Sequence, residues 1–460
     1  MKRYLLTILL VLLCVTPLFA QDGVNEGNLR TLTILHTNDT HANTLPDKND
    51  IGGYASIATC IKQVKSEQDD VLVIDGGDTI TGTPVSTYFQ GDPIFRIYNT
   101  IPYDCGVLGN HEFDHGWDRI KKFRKLSRMP LLCANIYTPK GKLLGDDPVK
   151  YFKKNKIRIG IIGVTTPDLY RVTSIKVHKG LEVLDSVDTV NEYLPEVKRK
   201  SDLVIVLSHC GIEEDERMAA KLKGVDLIIG GHSHTRLQQP EKINNILIIQ
   251  AGSYSKYVGR LDLVVNTDKD EIVKYDGQLI SVDNEKYPPD PKTQKYIDKW
   301  EEKVSDFVDI EIGYNSKSKP TEELTDIIGQ ILKQKYGTDY GYHNRGGTRA
   351  RLPEGTITKR NIWNMLPFGN TIVVLKVNGD AVRKYIHQNP SGPDDKLYTV
   401  ATNSYVGDKA IEELGLKEEY ITRHDETIRD AVIEYIEKTG SMESPESTDL
   451  KNIKTWDSKK

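Results

Sequence analysis

A chain of 460 residues with 38% hydrophobic and 28% charged residues is long enough for two domains, each with its own core. Its 62 Lys and Arg against 66 Asp and Glu give a formal charge of -4 with no dominant block of one sign, which excludes an electrostatic footprint for nucleic-acid polymers and polybasic membrane attachment. Five Cys without a Cys-x-x-Cys pair exclude a disulfide scaffold and a zinc ribbon.

In chain order, Lys2 and Arg3 precede an apolar run over 4–14, followed by Pro17 and Ala20. This pattern predicts a signal peptide over 1–20, cleaved near Ala20, because the run is shorter than the ~20 residues that a membrane span requires. The expectation is an exported, periplasmic or extracellular protein with no stable membrane anchor. Cys60, Cys105, Cys133 and Cys210 would remain; they could pair, and buried free thiols are the simpler expectation.

Short β-branched runs at 31–35, 71–74, 158–164, 202–207 and 226–229 predict strands buried on both faces. Stretches with helical spacing at 54–68, 188–200 and 213–223 lie between them, and a meander at 261–266 and 272–274 closes an α/β layered domain over 29–283. The polar, Pro-bearing segment 284–292 and an amphipathic helix over about 293–308 predict a linker and connecting helix spanning 284–313. A second domain over 314–440 should hold helices near 321–335 and 427–438 and a strand pair around 370–378. The tail 441–460 has little to bury.

Polar clusters follow the predicted strands, where carboxyl ends of sheet strands form the crevice of open α/β domains. They are His-Thr-Asn-Asp-Thr-His (36–41), Asp-Gly-Gly-Asp-Thr (75–79), Gly-Asn-His-Glu-Phe-Asp (109–114), Ser-His-Cys-Gly (208–211) and Gly-Gly-His-Ser-His-Thr (230–235). Five of the eleven His fall in these clusters, namely His41, His111, His209, His232 and His234, beside Asp39, Asp78 and Asn110. Four imidazoles besides His111, two carboxylates and an amide oxygen suffice for two divalent ions if one carboxylate bridges them. Nitrogen and oxygen donors without thiolate suit Zn, Mn, Fe or Co and do not choose among them. Two adjacent ions can clamp the attacking and leaving oxygens of a displacement at phosphorus, so phosphate ester hydrolysis is the chemistry suggested.

The order and spacing of these five clusters closely resemble the signature blocks of the calcineurin-like metallophosphoesterases, and more narrowly the secreted 5'-nucleotidase family. The resemblance implies a four-layer αββα metallophosphoesterase sandwich followed by a smaller α+β nucleotide-binding domain. It places one ion on Asp39, His41, Asp78 and His234 and the other on Asp78, Asn110, His209 and His232. His111, paired with Asp114, would face the phosphate as the catalytic imidazole. Further on, His-Asn-Arg-Gly-Gly-Thr-Arg (343–349), Leu-Pro-Phe-Gly-Asn (366–370) and Thr-Val-Ala-Thr-Asn-Ser-Tyr (399–405) resemble the family's substrate-binding blocks. They imply that Asn344 and Arg349 bind polar groups of a nucleotide, that Phe368 and Tyr405 sandwich its base, and that Asp408 touches the ribose. Arg345 and Thr348 depart from the family pattern, and the stretch between Gly379 and Thr399 is short, which implies looser base selectivity.

The expected function is hydrolysis of nucleoside 5'-phosphates by in-line attack of a metal-bound hydroxide. The alternatives are a 2',3'-cyclic-nucleotide phosphodiesterase with 3'-nucleotidase activity and a UDP-sugar hydrolase. A non-catalytic nucleotide-binding surface protein is the alternative of another class, and its mark would be lost ligands in the first half, where none is lost.

Overall fold

The structure, a computed structural model, describes residues 28–390 and 392–445. The expected signal peptide, and 446–460 of the expected tail, lie outside the described residues.

Strict alternation along the strands sorts side chains between two interiors. In Leu29–Thr37, Leu32 and Ile34 face one way and Leu35 the other; in Ile157–Thr165, Ile157, Ile159 and Ile161 oppose Ile162 and Val164. The first set from each strand meets between two six-stranded sheets. One sheet runs Glu271–Ser281, Tyr257–Asn266, Leu29–Thr37, Val71–Asp75, Cys105–Val107, Leu131–Leu132. The other runs Glu241–Ile243, Ile246–Ile249, Leu227–Ile229, Leu203–His209, Ile157–Thr165, Val149–Lys154. The opposite sets pack under helices, Tyr54–Glu67 outside the first sheet and Ser186–Lys200 outside the second. The result is the expected αββα sandwich. The central strands are parallel, so their carboxyl ends deliver the polar clusters to one edge.

Pro291–Val308 is more than a connector. Asp290 caps it by accepting from the Thr293 amide, and Ile297, Val304 and Val308 join the apolar cluster of Ile57 and Phe95 outside the first sheet. Trp300 stacks edge-on against Phe89, and Arg360 of the second domain reaches back to Glu301 and Asp309 on this side. The helix has an apolar face, and the first domain covers it.

The second domain carries a four-stranded sheet in the order Tyr340–Gly341, Tyr398–Asn403, Thr371–Val377, Ile421–Thr427. Helices Thr321–Tyr336 and Ile428–Thr439 pack on one face, and a smaller cluster around Val382, Ile386 and Ala410 covers the other. The strand pair expected around 370–378 is a single strand, and its partners come from 398–403 and 421–427. Ile421–Thr427 is polar and partly exposed at the sheet edge, so it lacks the hydrophobic pattern of the other strands. Cys60, Cys105, Cys133 and Cys210 are buried free thiols.

Candidate active site

The clusters at the sheet edge adopt unusual backbone. Asp39, His41, Asp78, His232 and His234 have φ of 49°, 47°, 53°, 74° and 56°, a left-handed region that side chains other than glycine seldom enter. Such conformations cost ~1–3 kcal/mol each and persist where the surrounding structure enforces them. Here the enforcement is visible. The amides of Asp39, His41 and Ala42 donate to the carbonyls of Gly77, Asp78 and Thr79 at 2.9, 3.0 and 2.9 Å, tying the first two loops together. The His232 amide donates to both Asp39 carboxylate oxygens, at 3.0 and 2.9 Å.

This backbone brings together the side chains expected to act jointly. Asp39, His41 and His234 present ligand atoms within 4.8 Å of one another, and so do Asp78, His209 and His232. Asn110 joins the second group through its Oδ1, 2.7 Å from His232 Nδ1. Asp78 Oδ2 stands 3.9 Å from His41 Nε2 and 3.1 Å from His209 Nε2, between the groups.

The donor chemistry fits cations. His41 Nδ1 lies 3.1 Å from the Thr81 carbonyl and His209 Nδ1 lies 2.6 Å from the Gly76 carbonyl, contacts that put a proton on each Nδ1 and turn each Nε2 toward the donor groups. His41 Nε2 then faces His234 Nε2 at 2.9 Å. His209 Nε2 is 3.1 Å from Asp78 Oδ2; burial works to lower its pKa, but the Asp78 carboxylate outweighs this and raises it to about 10. Converging lone pairs repel unless a positive charge stands among them. Burial holds His234 near 3 and His232 near 4, and lowers His41 as well, so these three remain neutral with lone pairs to offer. Burial opposes ionisation of Asp78, yet His209 and His111 beside it hold its carboxyl well below the usual range.

His111 is also buried. Its Nδ1 is 2.8 Å from Asp114 Oδ2, and its Nε2 is 4.0 Å from Asp78 Oδ2. Burial works to lower its pKa, but the Asp114 and Asp78 carboxylates outweigh this and raise it, favouring the imidazolium. His111 stands within ligating reach of His41 and Asp78, so proximity alone does not separate it from the other candidate ligands.

A cleft of about 650 Å³ opens over these groups, walled by both domains. Asn344, Arg349, Phe368 and Tyr405 line it. The Phe368 ring stacks on His111 with centroids 5.7 Å apart, and an Arg349 NH group lies 3.4 Å from His41 Nε2. The Tyr405 hydroxyl donates to the Arg171 carbonyl of the first domain at 2.8 Å. Asp408, expected at the ribose, is not among the residues that line this cleft. Asn403 caps helix Ser404–Leu414 and turns the face bearing Gly407, Asp408 and Ala410 inward, where Asp408 pairs with Arg423 at 2.7 Å.

Two features of the site escaped sequence reading. Tyr254, at φ 60°, places its ring 5.5 Å from that of His41 and 5.3 Å from that of His234. Arg429 also lines the cleft, its guanidinium 3.6 Å above the Trp363 ring. Tyr254 carries no local motif, and the 427–435 stretch that resembles the family's last helix does not mark Arg429 for the cleft; only the fold brings them near.

Residues 32–236 match the calcineurin-like phosphoesterase family, and residues 307–394 match the 5'-nucleotidase C-terminal domain. The chain carries a calcineurin-like phosphoesterase domain followed by a 5'-nucleotidase C-terminal domain. The phosphoesterase is 27% identical over 416 residues to the UshA protein of Yersinia enterocolitica, covering 77% of this chain and 75% of that one. It is 27% identical over 425 residues to a 5'-nucleotidase of Vibrio cholerae, covering 79% and 76%. Its fold superposes on a 5'-nucleotidase precursor from Thermus thermophilus with a TM-score of 0.82 at 24% identity, covering 90% of this chain and 97% of that one. The phosphoesterase is a metal-dependent phosphoric monoester hydrolase of 5'-nucleotidase type. Among its described residues no helix is long and apolar enough to cross a membrane.

Proposed function

We propose that this phosphoesterase is exported and hydrolyses nucleoside 5'-phosphates to nucleoside and phosphate with two divalent ions, Zn, Mn, Fe or Co. The observation that carries the reading is one cleft with two donor groups around Asp78 at its floor and two aromatics, Phe368 and Tyr405, on its second-domain wall. Asp39, His41, His234 and Asp78 would hold one ion, and Asp78, Asn110, His209 and His232 the other. Bound there, the ions supply Lewis-acid charge at phosphorus and lower the pKa of water.

The chain's own groups do the rest. Asp114 orients His111 through Nδ1, which leaves Nε2–H free to stabilise charge on the phosphoryl and leaving oxygens. Arg349 and Asn344 hold polar groups of the nucleotide, while Phe368 and Tyr405 offer flat walls to the base, which discriminate little among bases. The pattern of residues 1–20 supports export.

A substrate panel on the purified, metal-supplemented protein tests this, with AMP, a 2',3'-cyclic nucleotide, a UDP-sugar and an aryl phosphate compared by kcat/KM. AMP should be preferred. Removing both aromatics (Phe368→Ala with Tyr405→Ala) should raise KM for AMP by about 5- to 150-fold, since base stacking is worth ~1–3 kcal/mol. The aryl phosphate should react about as before. Equal losses on both substrates would mean that these rings support the catalytic groups, as the Phe368–His111 stack allows, and do not hold a base. A cyclic nucleotide or UDP-sugar outperforming AMP would overturn the 5'-nucleotidase reading.

A further inference from the structure

Glu112 follows His111 directly, and no role above uses it. Its side chain is 1% exposed and its carboxylate accepts five hydrogen bonds. The amides of Asp78, Thr79 and Ile80 donate at 3.1, 2.9 and 3.3 Å, the Thr79 hydroxyl at 2.8 Å, and the Gly109 amide at 2.7 Å. These bonds occupy essentially all the acceptor sites that a carboxylate has.

Four of the donors belong to the loop that carries Asp78, and the fifth belongs to the loop that carries Asn110 and His111. The two loops are pressed together. A Cβ at Gly109 would lie 2.2 Å from Asp78 Oδ1 and 2.4 Å from the Asp78 amide nitrogen, so only glycine fits. A further bond crosses the seam, from the His111 amide to Asp78 Oδ1 at 2.8 Å. Asp78 therefore spends one carboxylate oxygen on the neighbouring loop and turns the other, Oδ2, toward His209 and His41. Its left-handed backbone is held by amide bonds that converge on Glu112.

We propose that Glu112 is a positioning residue: its carboxylate clamps the Asp78 loop to the Asn110–His111 loop and so fixes where Asp78 Oδ2 stands between the two donor groups. This rests on the reading that Asp78 is shared by both ions. Glu112 touches neither substrate nor ion, and it acts through Asp78. Groups that orient metal ligands from behind typically govern 10- to 100-fold in metal affinity.

Glu112→Gln keeps the size of the side chain but points an NH₂ group at amides that need an acceptor. Metal-stripped protein titrated calorimetrically with Mn²⁺ should bind at least one of two ions about 10- to 100-fold more weakly than wild type. The kcat for AMP should fall at limiting Mn²⁺ and recover as Mn²⁺ is raised, with KM for AMP unchanged. Ile205→Val, a change buried between the sheets away from both loops, supplies a control that lowers stability and should leave Mn²⁺ affinity intact. If Glu112→Gln melts lower yet titrates like wild type, Glu112 is only a loop cap and the proposal fails. It fails also if kcat stays low at saturating Mn²⁺ with affinity unchanged. Should Glu112→Gln not fold, Glu112→Asp retains the charge, shortens its reach and carries the same expectation. Wild-type protein binding fewer than two ions would instead overturn the dinuclear reading, a result distinct from either failure.

Discussion

Asp78→Ala protein is expected to retain at most one divalent ion and to lose turnover by ~10²–10³-fold or more, the scale on which one preorganised electrostatic group acts in a closed site. Among the described residues no other carboxylate stands between both donor groups, with Oδ2 3.1 Å from His209 and 3.9 Å from His41. Asn110→Ala should be milder, because it removes one neutral oxygen from a single group. Metal content by plasma mass spectrometry, measured beside kcat, decides the matter, and two ions retained in Asp78→Ala would end the bridging assignment. Alanine at φ 53° is strained and leaves the His111 amide without its acceptor. Asp78→Asn keeps that acceptor and carries the same expectation if the alanine variant unfolds.

His111→Ala should behave in the opposite way, keeping its metal while kcat falls by ~10² or more. The Asp114 contact anchors one ring nitrogen, and the carboxylates of Asp114 and Asp78 favour the charged ring, as suits a group that meets developing negative charge. Its Nε2 is 4.0 Å from Asp78 Oδ2, close enough that a ligand role is a concrete rival. Metal content separates the two: loss of an ion from His111→Ala would make His111 a ligand and remove it from the catalytic step. His111→Gln, closer in bulk, guards against collapse of the Phe368 stack.

The first domain was legible because its signals are local. Continuous apolar strands buried on both faces announce themselves, and each polar cluster begins where such a strand ends. The gathering of Asp39, His41, Asp78, Asn110, His209, His232 and His234 then follows from parallel strands ending at one edge. Elsewhere the deciding physics was not local. Ile421–Thr427 is a polar edge strand whose partner is more than forty residues away, so no alternation marks it. Pro291–Val308 was recognisable as a helix, but which body covers its apolar face depends on packing. Asp408 points inward because Asn403 sets where its helix begins. Nothing in the 109–114 motif marks Glu112, because its five donors arrive from loops that only the fold brings together.

The left-handed backbone at His41, His232 and His234 bears on how this enzyme can change. Three imidazoles held at φ 47°, 74° and 56° store strain of ~1–3 kcal/mol each, a sizeable share of the ~5–15 kcal/mol by which a domain stays folded. Glycine at any of the three would relax the chain while deleting a donor. Selection for heat resistance alone, without a demand for activity, should therefore drift toward a sturdier and inert protein. The remainder of the sandwich has to be stable enough to hold these residues where they would not rest on their own.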